Sequence, residues 1–298
     1  MKISGFTFAR NADKFYYPIA EVIKSALPLV DEFVAVICPG DEDDHTRDLV
    51  AAIDSPKVRI IDRPWPSQEE APLAMAHSFL TNTALDACSG DWCLYLQADE
   101  VLHEDDLPII GKRCRDLLAV RRVEGLLFDY LHFYGDYNHY QWSHAWYRRE
   151  VRMIRNGIGL RSKGSAQSFR FTDGGKAVVV PAGARVFHYG YVRPPDRMRK
   201  KTHALNRIHK GNFVAATDPE EFDYGPLSRM PVFKGTHPAV MRERIRQMNW
   251  AHKLREADPP GLVRPLFKEE RLKYRVVSLI EDLTGLDFNH KNYKRTRI

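Results

Sequence analysis

Strand-like and helix-like segments alternate through the first hundred residues of this 298-residue chain. Apolar, β-prone runs at 3–8, 33–38, 58–61 and 92–96 are separated by segments whose apolar residues recur every three to four positions, the spacing of one helix face. Strands that alternate with helices predict an α/β fold with a doubly wound, mainly parallel sheet. The 44% hydrophobic content is sufficient for the core that such a sheet requires.

Polar residues follow three of these predicted strands. Asn11 comes after the first strand, an acidic turn at 39–44 after the second, and the segment 97–100 after the fourth. In doubly wound sheets, ligands bind beyond the carboxyl ends of the strands. We therefore expect these residues to share one site.

The second half of the chain differs in charge and pattern. Residues 1–150 carry 15 Lys/Arg and 25 Asp/Glu, whereas residues 151–298 carry 30 and 14. Helical patterns dominate after residue 195, and we predict a first domain at 1–195 and a basic, mainly helical C-terminal extension at 196–298. A basic surface attracts a diphosphate, a nucleic acid or an anionic membrane; the alternative is a merely solvated surface.

The sequence also bears on the cellular compartment. No apolar run reaches the roughly 18 residues that a transmembrane helix needs. The chain enters its first strand at Ile3, so we predict no signal peptide. The four cysteines lack metal-binding spacing, and a buried thiol behaves as a small apolar group. We therefore predict a reducing, cytoplasmic location.

Asp99 and Glu100 are adjacent acids that directly follow the fourth predicted strand. Unpaired carboxylates are costly to bury, and a divalent cation held by one or two carboxylates and by substrate phosphates removes that cost. Such an ion would neutralise a departing diphosphate. The alternative interpretation is that one of the two acids caps the helix that begins near Asp105.

The segment 91–100, Asp-Trp-Cys-Leu-Tyr-Leu-Gln-Ala-Asp-Glu, resembles the central motif of GT-A-fold, family 2-like bacterial glycosyltransferases. Blocks at 8–11, 31–36 and 44–46 resemble the nucleotide-binding half of the same family, and the resemblance covers roughly residues 1–190. It implies a GT-A-type sheet, a UDP- or GDP-sugar as donor, Mg²⁺ or Mn²⁺ as cofactor, and inversion at the anomeric carbon.

The resemblance also implies roles for individual residues. Those matched to nucleotide-sugar binding are Phe8, Arg10, Asn11, Asp41, Asp44, Gln97, Asp99 and Arg193, and those matched to metal binding are Asp99, Glu100 and His188. Two positions depart from the family pattern. Gln97 stands where the signature has its first aspartate, and the turn at 39–44 lacks paired aspartates directly at the strand end.

His188 and Arg193 belong to a second cluster in the resemblance, Phe187-His188-Tyr189-Gly190-Tyr191-Val192-Arg193. His188 would complete the metal shell as a neutral imidazole, and Arg193 would pair with phosphate through its planar fork. Lys200 and Lys201 would add positive charge. The alternative for His188 is a purely structural histidine at a strand end.

An inverting transfer needs a base near the acceptor hydroxyl. We predict Asp129, at the end of a predicted strand, ahead of three other candidates, Asp136, His144 and Glu150. The alternative for Asp129 is an ordinary strand-end acid. The aromatic-rich segment 133–146 offers flat faces to sugar rings, and we predict Tyr137 and Trp142 as acceptor contacts.

These observations predict an enzyme that moves a sugar from a nucleoside-diphosphate sugar to a hydroxyl acceptor, either a glycan or a lipid-linked saccharide. One alternative is a nucleotidyltransferase, which the missing glycine-rich, lysine-bearing phosphate loop disfavours. Another is a nucleic-acid-directed protein, including a glycosyltransferase that acts on modified DNA, although no nucleic-acid-binding motif supports it. The basic C-terminal helices leave peripheral membrane contact open as a further prediction.

Overall fold

The computed structural model describes residues 1–210, 220–289 and 291–296, without the side chains of 209 and 210. The remaining residues of the predicted C-terminal extension lie outside the described part. The strands are β1 (Ile3–Ala9), β2 (Glu32–Ile37), β3 (Val58–Asp62), β4 (Trp92–Tyr95), β5 (Glu100–Leu102), β6 (Gly125–Tyr134), β7 (Tyr140–Gln141), β8 (Arg149–Arg155), β9 (Leu160–Ser162), β10 (Phe169–Phe171), β11 (Ala177–Tyr191) and β12 (Tyr293–Arg295). The α-helices are α1 (Ile19–Ala26), α2 (Thr46–Ala51), α3 (Ala76–Asp86), α4 (Leu107–Leu117), α5 (Pro195–Lys210), α6 (Arg242–Arg246) and α7 (Leu272–Thr284).

Most of the strands form one mixed sheet, whose spatial order is β3-β2-β1-β4-β8-β6-β11-β12. Strand β5 pairs with β11, and β7 pairs with β6. The first four strands in this order are parallel, whereas β8 lies antiparallel between β4 and β6. Strand β11 is again parallel to β6 and β12. The predicted α/β fold with a doubly wound, mainly parallel sheet is confirmed.

The parallel half of the sheet is covered on both faces. Along β4, Trp92 and Leu94 belong to the apolar core with α1 and α4, and Cys93 and Tyr95 belong to the core with α3. This alternation follows from the two-residue period of a strand. A strand that is covered on both faces has no solvent-facing side, which explains the continuous apolar runs in the sequence.

Residues beyond α5 contribute to the same core. Met241 and Trp250 are buried with residues of α1 and α4, and Trp250 Nε1 donates a hydrogen bond to the Gly135 carbonyl (2.9 Å). Strand β12 extends the sheet beside β11. Among the described residues, no helix combines the length and the apolar character needed to cross a bilayer.

Glu32 connects three segments at the start of β2. Its Oε1 accepts hydrogen bonds from Ser4 Oγ in β1 (2.6 Å) and from the backbone N (2.8 Å) and Oγ (2.6 Å) of Ser89 before β4. Burial raises the pKa of the Glu32 carboxyl, but the serine hydrogen bonds outweigh that effect and hold the pKa at about 2. The ionised carboxylate therefore holds the three segments together.

Because the folded-state pKa of Glu32 lies below its ordinary value of 4.5, the carboxylate stabilises the fold above about pH 4.5, and this contribution is lost as the pH falls towards 2. We expect Glu32→Gln to lower the free energy of unfolding at pH 7 by about 1–3 kcal/mol, and the difference from wild type to shrink below pH 4.5. Urea denaturation across this pH range measures it. Glu42→Gln, in an exposed turn, is the matched control, with an expected change within about 0.5 kcal/mol. Equal stability of Glu32→Gln and wild type at pH 7 would contradict the role of Glu32.

Candidate functional site

A cleft of about 380 Å³ opens where β1 and β4 end. A second cavity of about 760 Å³ shares some of its walls and extends to the turn after β2. The predicted residues that line one or both cavities are Phe8, Arg10, Asn11, Asp41, Gln97, Asp99 and His188. The structure thus brings together polar residues that follow three different strands, because the carboxyl ends of parallel strands meet at one edge of the sheet.

Asn11 connects the end of β1 to the turn after β2. Its φ of 55° lies in the left-handed region, where asparagine is among the better tolerated residues. Its Oδ1 accepts a hydrogen bond from the backbone N of Asp41 (2.8 Å). Lys14 Nζ lies 2.9 Å from Asp41 Oδ2 and lowers the pKa of that carboxyl. These contacts hold Asp41 at the rim of the larger cavity.

Asp44 has an internal structural role. Its Oδ1 accepts hydrogen bonds from Thr46 Oγ1 (2.8 Å) and from the backbone N of Lys14 (3.2 Å). Thr46 Oγ1 in turn accepts from the backbone N of Ala12 (2.6 Å). Asp44 lines neither cavity, and its contacts tie the turn after β2 to the segment after β1.

Asp99 and His188 face each other across a narrow gap. Asp99 Oδ2 lies 3.6 Å from His188 Nε2, and both side chains are about nine-tenths buried. Gly190 keeps the gap open, because a Cβ at this position would lie 2.6 Å from His188 Nε2 and 2.8 Å from Asp99 Oδ2. Glycine at this position therefore lets the carboxylate and the imidazole face each other at a separation that the ligands of one metal ion can have.

Hydrogen bonds determine which nitrogen of His188 carries a proton. His132 Nε2 lies 2.7 Å from the Tyr147 carbonyl oxygen, which only accepts, so this nitrogen is protonated. Burial lowers the pKa of both histidines to about 3, and both rings are therefore neutral near pH 7. Since His132 Nδ1 lies 3.0 Å from His188 Nδ1, His188 Nδ1 must be the donor in that contact. His188 Nε2 consequently presents a lone pair towards Asp99.

Lys201, on α5, is the buried cation of the cleft. Its Nζ lies 3.7 Å from Asp99 Oδ2 and donates a hydrogen bond to the Gly190 carbonyl (2.6 Å). Burial, reinforced by the nearby Arg193 guanidinium, lowers the pKa of Lys201 to about 7. The amino group lies beside the gap between Asp99 and His188, and it is partly protonated near pH 7.

Arg193 is fully buried, and the structure places it outside the cleft wall. Its guanidinium donates hydrogen bonds to the carbonyls of Phe15 (2.7 Å) and Gly190 (2.9 Å) and covers the ring of Tyr17. The planar fork that was predicted to bind phosphate is therefore engaged with the backbone. Arg193 supports the segment that holds Gly190, while Lys201 lines the cleft.

Glu100 also departs from its predicted role as a metal ligand. Its carboxylate accepts hydrogen bonds from Arg152 Nε at Oε2 (2.7 Å) and from Arg152 Nη2 at Oε1 (2.8 Å), and Tyr130 Oη also donates to Oε1 (2.9 Å). Both side chains of the ion pair are fully buried. Since Glu100 Oε2 also accepts from the backbone N of Gln97 (3.1 Å), the pair fixes the turn that carries Asp99.

Asp129, the predicted base, lies outside the cleft. Its Oδ1 accepts a hydrogen bond from Arg149 Nε (2.6 Å), and the side chain is 54% exposed. Successive strand residues point to opposite faces of a sheet. Because Tyr130 and His132 point towards Glu100 and His188, respectively, Asp129 occupies the other face of β6.

The two predicted acceptor contacts also lie elsewhere. Tyr137 is buried, and its ring packs against Tyr189 and Trp250. Trp142 is 42% exposed, and its indole N–H donates to Asp282 Oδ1 on α7 (3.0 Å). Neither residue lines the cleft, because the segment after β6 packs against C-terminal residues.

Several residues of the site were not predicted from the sequence, and three of them show why. Trp65 lines both cavities and lies under the Arg10 guanidinium, 5.1 Å from the ring centroid. It follows β3, so the rule of strand ends would have found it. His132 and Arg152 lie within strands among apolar residues, and no local pattern distinguishes them from other buried polar residues.

This chain is only distantly similar to known proteins. No family model and no curated protein matches the sequence. A Mycobacterium tuberculosis glucosyl-3-phosphoglycerate synthase, solved with Mn²⁺, UDP and glucosyl-3-phosphoglycerate, is 22% identical, with a TM-score of 0.32 over 45% of this chain and 45% of that chain. Staphylococcus aureus TarS 1–349 is 18% identical, with a TM-score of 0.28 over 45% of this chain and 36% of that chain. The match spans less than half of either solved chain.

Removing Arg152 would leave Glu100 buried without its partner. We expect Arg152→Met to lower the free energy of unfolding by about 3–5 kcal/mol, because an uncompensated carboxylate remains in the core. Arg149→Met is the matched control on the same strand, since its partner Asp129 is half exposed, and it should cost less than about 1 kcal/mol. Equilibrium urea denaturation measures both, and similar small losses in the two variants would contradict the structural role of the Glu100–Arg152 pair.

Proposed function

We propose that this chain is a glycosyltransferase with a GT-A-type donor site, which transfers a sugar from a nucleoside-diphosphate sugar to an acceptor hydroxyl. The proposal rests on the open gap between Asp99 Oδ2 and His188 Nε2, next to Lys201 and beyond the ends of parallel strands. A carboxylate and a neutral imidazole suit a divalent cation, and an ammonium suits a phosphate oxygen. These groups together would stabilise a diphosphate as it leaves the sugar.

The residues around the gap fit Mg²⁺ or Mn²⁺. No group of three or more His, Cys, Asp or Glu side chains within the described ranges is arranged to hold a metal, but such ions are commonly held by one or two side chains together with substrate phosphates and waters. Two ligands of one ion, each at about 2.1 Å, lie about 3–4 Å apart, and the 3.6 Å separation agrees with that. Asp99 and His188 would hold the ion, which would supply charge neutralisation for the diphosphate.

We assign the nucleotide of the donor to the wall formed by the ends of β1, β2 and β3. Phe8 and Trp65 offer aromatic faces there, and Asp41 offers a carboxylate that accepts from the imide of uracil or the edge of guanine. A UDP- or GDP-sugar is therefore the proposed donor. Gln97 Nε2 donates to the Ala166 carbonyl (3.0 Å), which fixes the side chain at the floor of the cleft.

The proposed acceptor is a glycan or a lipid-linked saccharide, and the proposed transfer inverts the anomeric carbon. The cleft lining also includes Ser165, Gln167 and Tyr147, whose hydroxyl and amide groups suit a sugar. We also propose a cytoplasmic location, which is supported by four buried cysteines that form no disulfide.

Binding of the donor should depend on a divalent cation held by Asp99. Calorimetric titration of UDP-, GDP- and dTDP-sugars, each with and without Mn²⁺, is expected to give metal-dependent binding for one of them. Asp99→Asn should weaken this binding by about 100-fold, because it removes the anionic ligand. Asp129→Asn is the control and should leave donor binding unchanged. Absence of metal-dependent binding to every nucleotide sugar, or an unaffected Asp99→Asn protein, would refute the proposed function.

His132 should set the metal affinity without touching the donor. His132→Phe removes the acceptor that holds the His188 Nδ1 proton, so we expect a 10–100-fold loss in Mn²⁺ affinity in the presence of donor. His132→Asn keeps an acceptor oxygen near that position and should recover part of the loss. Manganese titration followed by electron paramagnetic resonance measures both variants, and identical affinities of wild type and His132→Phe would contradict the proposed tautomer.

A further inference from the structure

Helix α7 attaches to the rest of the protein through its polar side. Glu281 is buried, and its Oε1 lies 2.9 Å from His144 Nδ1. Ser278 Oγ, on the same side of the helix, accepts a hydrogen bond from the backbone N of His144 (2.7 Å). Asp282 accepts from Arg148 (2.9 Å). The helix is therefore held by charges and hydrogen bonds, in contrast to an ordinary surface helix, which buries its apolar side.

The opposite side of α7 is apolar and exposed. Its exposed apolar residues recur at the spacing of one helix face and are Leu272, Val276, Leu279, Ile280 and Leu283. Leu272 and Leu283 are 75% and 77% exposed. Exposed apolar residues continue in the chain on either side of the helix, at Leu266 and at Phe288. A contiguous apolar stripe of this length marks an interaction surface.

Cations flank this stripe. At 100° per residue, Lys273 lies on one side of the stripe and Arg275 on the other, and both are exposed. Lys268 and Arg271 precede the helix and are exposed as well. None of these four forms an ion pair with a carboxylate in the described part of the chain, whereas the neighbouring acids are paired: Glu269 with Arg229, Glu270 with Arg264, and Asp282 with Arg148.

We propose that the apolar stripe of α7 docks onto an anionic lipid bilayer, with the helix lying in the plane of the interface. An apolar stripe bordered on both sides by Lys and Arg matches the boundary between acyl chains and anionic headgroups, because the long cationic side chains reach the headgroups while their stems lie along the apolar layer. In a contact with a second copy through the same stripe, the acids of the helix and of the segment before it are already paired within their own chain, so they offer these cations no free carboxylate. Charge complementarity therefore selects the membrane. The proposal is independent of the chemistry in the cleft.

The test is co-sedimentation of the full chain with vesicles. We expect binding to phosphatidylcholine vesicles that contain phosphatidylglycerol, and at least about tenfold weaker binding to phosphatidylcholine alone. The triple variant Leu272→Ser, Leu279→Ser, Leu283→Ser should lose at least about tenfold in binding to the anionic vesicles. Ile109→Ser with Val232→Ser, at exposed apolar sites elsewhere, is the matched control and should bind like wild type. Thermal unfolding should be unchanged in both, since all five side chains are exposed.

A second variant separates charge from apolar contact. Lys273→Gln with Arg275→Gln should weaken binding to the anionic vesicles and remove most of their advantage over neutral ones. Three outcomes would overturn the proposal. They are absence of binding to anionic vesicles, equal binding by wild type and the triple serine variant, and a dimer in light scattering that the triple variant abolishes while vesicle binding is absent.

Discussion

The buried ion pair between Glu100 and Arg152 is the contact on which the geometry of the site depends. It joins β5 to β8, Tyr130 of β6 donates to it, and an Arg152 guanidinium nitrogen also donates to the Gln167 carbonyl (2.8 Å) at the cleft. Burying two charges costs desolvation free energy, which the pairing and surrounding hydrogen bonds offset. The main effect of the pair is therefore on geometry: it fixes the turn after β4 that carries Asp99.

The parallel half of the fold was predictable because each of its strands is a local signal. A strand buried on both faces is a continuous apolar run, and the intervening helices keep their own period. The antiparallel position of β8 in the sheet and the short strands β5 and β12 were not predictable. A three-residue segment carries no period, and the pairing of all three strands depends on partners that are distant in the sequence. Glu100, for instance, was considered as a helix cap or a metal ligand, and it lies in β5.

The site residues likewise divide into those that a local sequence signal predicts and those that depend on tertiary contacts. Asn11, Gln97 and Asp99 reach the cleft, and Asp41 reaches the adjoining cavity, because these residues follow parallel strands, which the order of segments in the sequence predicts. The face that a side chain occupies is a tertiary property. Asp129 lies on the face of β6 that points away from His188, and the guanidinium of Arg193 meets a carbonyl of Phe15, 178 residues earlier in the chain. No spacing in the sequence indicates such partners.

Strand β11 carries His188 at one end, and its other end lies at the margin of the sheet. The unpaired backbone groups of an edge strand can pair with a strand of another chain, which makes such edges sites of aggregation. Here β12 covers Ala177–Val179 and β5 covers Val186–His188. Between them, Pro181 has no N–H to offer, its carbonyl accepts from Arg113, and the N–H of Arg185 donates to Asp106. These contacts occupy much of the open edge of the longest strand and so limit its pairing with a strand of a neighbouring molecule.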